Sequence, residues 1–274
     1  MRTFVLAAIA FAFLPLVAAY AYAALTFVLF PLLTRKDPDP APGFARDRVR
    51  AWWLEGVSQA WAFYVSWTHH ARTPALVCAG IGRPIVLLPG YTETAGALWI
   101  LGRRLNRLTG RPVFACSHRP SMYSRIENLA GNAATDIAKA CVLTKTDDAD
   151  VVGHSMGGLV ARYCVEKLGL VPLIRTVVAI GTPHTGARLA RIRLGRCTAQ
   201  MIPGSALLGE LAETLKTVPE SVRYASIGSL LDNIVQPVAS TVTPRGEHVW
   251  FGDVAHVGLL HDPSVAREVA RMVT

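Results

Sequence analysis

The chain has 274 residues, enough for one large α/β domain or at most two small ones. Lysine and arginine outnumber aspartate and glutamate by 28 to 19, giving a formal net charge of +9. These basic residues are scattered rather than gathered in a stripe with interleaved aromatic residues, which argues against a nucleic-acid partner and favours attraction to anionic lipid headgroups. The five cysteines fit no Cys-x-x-Cys or metal-binding spacing, so we interpret them as mostly buried thiols.

The N-terminal stretch from Phe4 to Leu33 contains no formal charge. It is longer than the ~20 residues that a helix needs to cross the hydrocarbon layer, so we expect a single membrane anchor within residues 1–34. A cleaved secretory signal peptide is the alternative, because Ala21-Tyr22-Ala23 offers a small-x-small cleavage site. The proline-rich residues 37–43 cannot continue a helix and belong to a linker region at 35–82.

A tryptophan-rich stretch from Ala51 to Trp67 predicts a helix inside that linker region. It carries four of the six tryptophans, and apolar residues fall on most of its faces. One interpretation is a helix packed on the sheet of the following domain. The other is an interfacial helix, since tryptophan favours the headgroup region beside a membrane span.

From residue 83 onward, short apolar runs alternate with helical patterns. Strands are predicted at residues 84–91, 111–116, 149–154, 174–180, 224–228 and 247–251. Helices are predicted at residues 95–108, 126–143 and 159–168, with a last helix capped by Asp262. Strands alternating with helices at this spacing predict a doubly wound, mostly parallel sheet, which we assign to a domain at residues 83–274.

A Gly-x-Ser-x-Gly motif joins the strand at 149–154 to the helix that follows it, with Ser155 at its centre. A serine hydroxyl is a poor nucleophile unless it is held out of the backbone beside a base, and a sharp strand-to-helix turn does the first of these jobs. Glycine is needed at Gly153 and Gly157, because a Cβ there would collide with the neighbouring strand and helix. The alternative is an ordinary turn of small residues. We predict that Ser155 is a catalytic nucleophile.

An acid and a base are expected after the serine, in that order. Asp232 lies just beyond the strand at 224–228, on the same edge of the sheet as Ser155, although it could instead be a turn aspartate that caps its own loop. Asp253 is a weaker candidate for the acid. His256 follows the last strand and is the predicted base, with His261 second.

Three motifs in this order resemble the bacterial triacylglycerol lipase-like group of the α/β-hydrolases: Leu88-Pro89-Gly90-Tyr91, Gly153-His154-Ser155-Met156-Gly157-Gly158-Leu159 and Gly181-Thr182-Pro183-His184-Thr185-Gly186. The resemblance covers about residues 83–272, and His256 to Leu260 is similar to the segment that carries the catalytic histidine. It implies the α/β-hydrolase fold and an oxyanion hole formed by the backbone N–H groups of Tyr91 and Met156. One departure is Pro89, which stands where those lipases usually have histidine. Two further histidines, His154 and His184, are interpreted as packing or oxyanion-side support.

A segment at about residues 187–219 departs from the strand pattern and falls where this fold carries its substrate-covering insertion. Arg188, Arg191, Arg193 and Arg196 precede an apolar run there. A basic, partly apolar cap suits a lipid substrate. The alternative is a solvated charged face over a small ester pocket.

These features together predict a membrane-anchored serine hydrolase that cleaves carboxylic esters of lipids through a Ser-His-Asp triad and an acyl-enzyme, without a metal or an organic cofactor. An acyltransferase or thioesterase using the same triad is one alternative, and a non-catalytic membrane-tethered binding protein is another. The expected partners are a lipid or ester substrate and a membrane. No protein partner can be named.

The expected location is the inner membrane of a bacterium, with a single N-terminal span. Basic residues after the span favour a cytoplasmic catalytic domain, whereas the resemblance to exported lipases favours the opposite side, so the side stays open. If the N-terminal segment is cleaved, the protein is instead a secreted esterase.

Overall fold

The computed structural model describes residues 14, 16–27, 48–68, 75–117 and 123–274, and its strands form one seven-stranded sheet. The strands are β1 (Ala75–Cys78), β2 (Ile85–Leu88), β3 (Val113–Ala115), β4 (Ala149–His154), β5 (Ile174–Ile180), β6 (Arg223–Ser229) and β7 (Glu247–Phe251). Their order across the sheet is β1-β3-β2-β4-β5-β6-β7. Strands β2 to β7 are parallel to their neighbours, and β1 pairs antiparallel with β3 at one edge.

Helices cover both faces of this sheet. In chain order, the helices of the described residues are α1 (residues 16–27), α2 (Arg48–Thr68), α3 (Trp99–Thr109), α4 (Ile126–Thr144), α5 (Met156–Glu166), α6 (Arg196–Gln200), α7 (Ala206–Thr214) and α8 (Pro263–Val273). Neighbouring strand residues point to opposite faces, so Val151 packs with α4 and α5 while Val152 packs with α3 and α8. Because every residue of β2 is buried, this strand is a continuous apolar run rather than an alternating one. The predicted doubly wound, mostly parallel sheet is confirmed.

The sequence predictions agree with most of these elements. The strands at 149–154, 174–180 and 247–251 have the predicted bounds. Asp262 caps α8 as predicted, since its Oδ1 accepts hydrogen bonds from the N–H groups of Ser264 at 2.6 Å and Val265 at 3.3 Å. The helix predicted at 159–168 begins three residues earlier, at Met156, directly after the serine turn. The cysteines are free and mostly buried, as interpreted: Cys116, Cys141, Cys164 and Cys197 are buried and Cys78 is half-buried.

The two N-terminal helices pack against each other through aromatic rings. The ring of Tyr20 on α1 lies 5.4 Å from that of Trp52 and 5.1 Å from that of Trp53, measured between centroids. Across the parts of the chain that the structure describes, we find no helix whose length and apolar character would suffice to cross a membrane. The predicted span at 4–33 is described only at residues 14 and 16–27, and the predicted linker at 37–43 lies outside the described residues.

Helix α2 has one buried face and one exposed face. Its buried residues recur at helical spacing: Ala51, Glu55, Ser58, Ala62 and Val65. This face packs against the short turn at residues 257–260 rather than on the broad face of the sheet, so the first of the two interpretations was right about packing and wrong about its partner. Trp53 and Trp61 lie on the opposite, exposed face.

Glycine at 157 should prove indispensable for stability, whereas glycine at 131 should not. A Cβ at Gly157 would overlap the carbonyl oxygens of Leu88 and Pro89, so Gly157→Ala should lower the free energy of unfolding by about 1–3 kcal/mol. Gly131 lies on the exposed face of α4 with open space around its Cα. Gly131→Ala should therefore raise the free energy of unfolding by about 0.4–1 kcal/mol. Urea denaturation of both variants measures the difference, and equal effects would contradict the predicted overlap.

Candidate active site

The turn between β4 and α5 holds Ser155 in a conformation that L-residues rarely adopt. Its φ is 53° and its ψ is −123°, and such strain persists only where the surroundings enforce it. Its N–H donates to the carbonyl oxygen of Ile180 at 2.7 Å, which ties the turn to the end of β5. A Cβ at Gly153 would overlap the backbone of Gly157 and Gly158, so the chain can double back here only with glycine.

The two predicted oxyanion donors lie on either side of this serine. Met156 is the first residue of α5, so its N–H has no acceptor within the helix and is free to face a ligand. Gly90 packs against Ser155 closely enough that a Cβ on Gly90 would lie 3.1 Å from the serine Cβ. Tyr91 follows Gly90 directly, which places its backbone beside the serine turn as well.

Asp232 and His256 form a buried pair. The Nδ1 of His256 donates to Oδ2 of Asp232 at 2.7 Å, and the two residues are 4% and 0% exposed. The other carboxylate oxygen, Oδ1, accepts the N–H groups of Ile234 at 2.9 Å and Val235 at 2.7 Å. The two sequence interpretations of Asp232 therefore hold together, because one oxygen caps the loop while the other contacts the histidine.

The charge environment of His256 favours its protonated form. Burial, the largest single effect, would lower the pKa of the His256 imidazole, but Asp232, Glu55 and Glu93 together outweigh it, so the pKa lies above its ordinary value. The neutral ring keeps its proton on Nδ1, where Asp232 accepts it, and leaves Nε2 able to accept another.

The structure brings His256 and Ser155 to the same end of β5. Gly181 ends that strand, and a Cβ on it would lie 3.2 Å from both Cε1 and Nδ1 of His256. The ring of His154, directly before the serine, lies 4.9 Å from the ring of His256 between centroids. The predicted nucleophile, acid and base therefore meet at the carboxyl edge of the parallel sheet.

A second buried carboxylate, Glu93, connects three loops around this site, and sequence reasoning missed it. Its Oε2 accepts the N–H of Gly90 at 2.6 Å and lies 3.0 Å from Nδ1 of His154. The Nε2 of His154 in turn donates to the carbonyl oxygen of His256 at 3.2 Å. Burial alone would raise the pKa of Glu93, but these partners outweigh it and hold the pKa below its ordinary value. Glu93 thus connects the loop after β2, the end of β4 and, through His154, the loop that carries His256.

The remaining candidates have other surroundings. Burial lowers the pKa of His261, the second candidate for the base, to about 4, and neither of its ring nitrogens has a hydrogen-bond partner among the described residues. Asp253 is largely exposed and lies 4.0 Å from Arg50. His184 is buried beside Arg162, whose guanidinium lies 3.3 Å from its Nδ1. Of the two candidate acids, Asp232 is the one that contacts His256.

Within the described ranges there is no cluster of three or more His, Cys, Asp or Glu side chains that could hold a metal ion. The buried carboxylates of Glu93, Asp232 and Glu55 accept hydrogen bonds from backbone N–H groups.

Comparison with known proteins agrees with this architecture. The family model described as alpha/beta hydrolase fold matches residues 83–196. Comparison of the sequence with curated proteins gives no match.

Several solved structures are similar in fold. The mature lipase BlEst2 of Bacillus licheniformis is 12% identical at a TM-score of 0.59, over 73% of this chain and 92% of that one. Lipase B of Aspergillus fumigatus is 18% identical at a TM-score of 0.61, over 86% of this chain but only 60% of that one. Est816, an N-acyl homoserine lactone degrading enzyme, is 16% identical at a TM-score of 0.50, over 70% of this chain and 93% of that one.

At these identities the likeness establishes the fold alone. The predicted resemblance to the α/β-hydrolases is confirmed, and this fold supports hydrolase activity.

The pKa of His256 should fall when Asp232 loses its charge. In Asp232→Asn the amide oxygen can still accept the loop N–H groups, but the carboxylate that favours imidazolium is gone. NMR titration of the histidine ring nitrogens measures the change. Asp253→Asn is the matched control, because that exposed acid lies beside Arg50, and it should leave the titration of His256 unaltered. An unchanged pKa in Asp232→Asn would contradict the assignment of the shift to this pair.

Proposed function

We propose that this chain, which has the α/β-hydrolase fold, is a serine hydrolase that cleaves carboxylic ester bonds of lipids. The observation that carries the proposal is the buried pair of Asp232 and His256 at the same strand end as the strained Ser155. Backbone strain at a serine turn and a buried acid–histidine pair both lower the stability of the folded state. Such features cluster at active sites, where they serve the chemistry.

The mechanism follows from the hydrogen bonds. Because Nδ1 of His256 donates to Asp232, Nε2 of the neutral ring takes the proton of Ser155 as the serine Oγ attacks the acyl carbonyl. The negative charge on the carbonyl oxygen is stabilised by the backbone N–H groups of Tyr91 and Met156. His256 then gives its proton to the leaving alcohol, the C–O bond breaks, and an acyl-enzyme remains. Water then attacks the acyl carbon while His256 takes its proton. The bond between the acyl carbon and the serine Oγ breaks as His256 returns that proton to the serine, and the carboxylic acid is released.

The segment at residues 187–219 supports a lipid substrate. It consists of a short turn at Arg188–Ile192 followed by α6 and α7. Ile192 and Leu194 are each 60% exposed, so the segment presents apolar side chains together with its arginines. The hydroxyl of Tyr91 donates to the carbonyl oxygen of Leu194, which links this cap to the proposed oxyanion loop. A basic surface with exposed apolar residues beside the site suits an acyl chain with an anionic headgroup.

Of two alternative functions, the first uses the same catalytic site and the second does not use it. Acyl transfer and thioester hydrolysis require the same nucleophile and base, so only the attacking group or the leaving group differs. A non-catalytic binding protein would have no need of the strained serine and the buried pair. The lipase similarities and the cap favour lipid esters, while Est816 is a reminder that the fold also accommodates lactones.

Membrane attachment belongs to the proposal and rests on the uncharged run from Phe4 to Leu33. Within that run, Tyr20 contacts α2, and Thr26 accepts a hydrogen bond from Asn233 at 2.7 Å. A helix embedded in a bilayer at 16–27 would have to give up these contacts. Fractionation with membranes and resistance to salt extraction would support the anchor, whereas a salt-released or soluble chain would contradict it.

Loss of the proposed nucleophile or base should abolish ester hydrolysis without unfolding the protein. For Ser155→Ala and His256→Ala we expect kcat to fall by roughly 10⁴- to 10⁶-fold, and for Asp232→Asn by about 10⁴-fold. Esters of graded chain length, offered in solution and in anionic vesicles, give the rates and the chain-length preference. A fluorophosphonate probe should label the wild-type chain at Ser155 only.

His261→Ala is the matched control, since His261 lies in the same loop region but is not placed at the site. It should retain most of the activity. Loss in His261→Ala with retention in folded His256→Ala would transfer the base role, and labelling at another serine would overturn the site. Analysis of products with an added alcohol separates hydrolysis from acyl transfer.

A further inference from the structure

Glu55 of α2 is a fully buried carboxylate aimed at the histidine loop. It is 0% exposed and stands in the middle of the inward face of the helix. Its Oε2 accepts the N–H of Val257 at 3.0 Å and that of Gly258 at 2.9 Å. These are the two residues that follow His256, and both N–H groups lie at the start of the short turn at residues 257–260.

This contact has the features of a specific support rather than an incidental one. A carboxylate removed from water is costly unless hydrogen-bond donors replace its hydration, and here Gln59 supplies a third donor at 2.9 Å. The first N–H groups of a helical turn have no partner within the turn, and they carry partial positive charge. Glu55 therefore accepts hydrogen bonds from backbone N–H groups that lack a partner within the turn. Burial raises the pKa of the Glu55 carboxyl group, and His256, the two N–H groups and Gln59 act against that rise.

Helix α1, which precedes α2, is connected to the same loop through Asn233. The side-chain oxygen of Asn233 accepts the N–H of His256 at 3.3 Å, and its amide nitrogen donates to the hydroxyl of Thr26 on α1 at 2.7 Å. Asn233 directly follows Asp232 and also contacts the backbone of His256. Through this one residue, α1 is connected to both the proposed acid and the proposed base. Both N-terminal helices thus contact the loops that carry the proposed acid and base, although they lie outside residues 83–196.

We propose that Glu55 is a positioning residue that holds the His256 loop in the geometry in which Nε2 faces Ser155. This inference rests on the proposed function. Glu55 touches no reacting atom and acts through the backbone of Val257 and Gly258. The hydrolase site is therefore completed by a segment that precedes the part of the chain matched to the α/β-hydrolase model.

The charge of Glu55 also acts on the imidazole. Among the described residues, the titratable groups besides Glu55 that face His256 or its partners include Asp232 after β6, Glu93 after β2, His154 on β4 and His261 after the turn at 257–260. Tyr22 on α1 lies within electrostatic reach of Glu55 and Asp232. Removing one negative charge from this set lowers the pKa of His256, because Glu55 helps to raise it. A base must be unprotonated to act, so activity falls at low pH as His256 becomes protonated. This part of the pH profile, the acid limb, therefore moves to lower pH.

Three variants test the proposal. Glu55→Gln removes the charge but keeps the size of the side chain, and Glu55→Asp keeps the charge but shortens its reach to the loop. Glu166→Gln is the matched control: the side chain of Glu166 is also fully buried, and it pairs with Arg162 at 2.7 Å on α5 rather than with the histidine loop. The readouts are kcat and KM for a soluble ester, the pH dependence of kcat/KM, and the pH dependence of fluorophosphonate labelling at Ser155.

For Glu55→Gln we expect kcat to fall by up to roughly 100-fold with KM little changed, since only the placement of the base is disturbed. Its acid limb should move to lower pH in both hydrolysis and labelling. Glu55→Asp should restore the wild-type acid limb and recover only part of kcat. Glu166→Gln should lower the unfolding temperature without moving the acid limb.

A purely structural role gives a different pattern. If Glu55→Gln loses stability but keeps the wild-type kcat and acid limb, the inference is wrong. If Glu55→Gln cannot be recovered folded, Glu55→Asp decides, because full wild-type kcat in that variant means that the contact with Val257 and Gly258 does not place the base. If the wild-type chain itself is neither labelled nor active, the proposed function fails instead.

Discussion

The reversal of the chain at Ser155 is the constraint on which the rest of the site depends. A residue with φ of 53° and ψ of −123° between a buried strand and a helix is held only by tight packing on every side. Gly153 and Gly157 have no Cβ, so the neighbouring backbone can pack directly against them. The N–H of Ser155 donates a hydrogen bond to the carbonyl oxygen of Ile180. A parallel sheet then delivers every other loop of the site to the same edge.

Around that turn the dominant energetic problem is buried charge. Three carboxylates, those of Glu55, Glu93 and Asp232, are almost fully removed from water within one small region. Each is hydrogen-bonded to backbone N–H groups of a loop beside the proposed site, and these bonds hold the loops in one geometry. For Glu55 the hydrogen bonds offset the loss of hydration only in part, because burial still raises the pKa of its carboxyl group. The same charges keep the pKa of His256 above its ordinary value.

The sequence was enough to predict strands β2 to β7, and Ser155, Asp232 and His256 were each proposed because they follow one of these strands. A fully buried strand such as β2 is a continuous apolar run, which makes it visible in the sequence. The supporting acids were not found, because Glu55 contacts Gly258 across 203 positions and Glu93 contacts His154 across 61 positions, and contacts so distant leave no local pattern. The available signal was that Glu55 is the one acid in an otherwise apolar, tryptophan-rich helix.

The edge strand β1 and the helices α6 and α7 were missed for a similar reason. Strand β1 has four residues and a partly exposed burial pattern, so it shows neither a continuous apolar run nor a clear alternation. Helix α6 has only five residues, which is too short for a helical period to show in the sequence. Their positions are determined by what they pack against, which a single sequence does not display.

The contact between Glu55 and Gly258 also has a consequence for the order of events during synthesis. The two residues are separated by 203 positions, so the carboxylate emerges from the ribosome long before its backbone partners exist. During that interval α2 carries an acid that lacks its backbone partners and several exposed aromatic residues, and exposed apolar surface of this kind favours aggregation. The histidine loop cannot acquire this support before Gly258 has been synthesised, and closing so distant a contact carries an entropic cost.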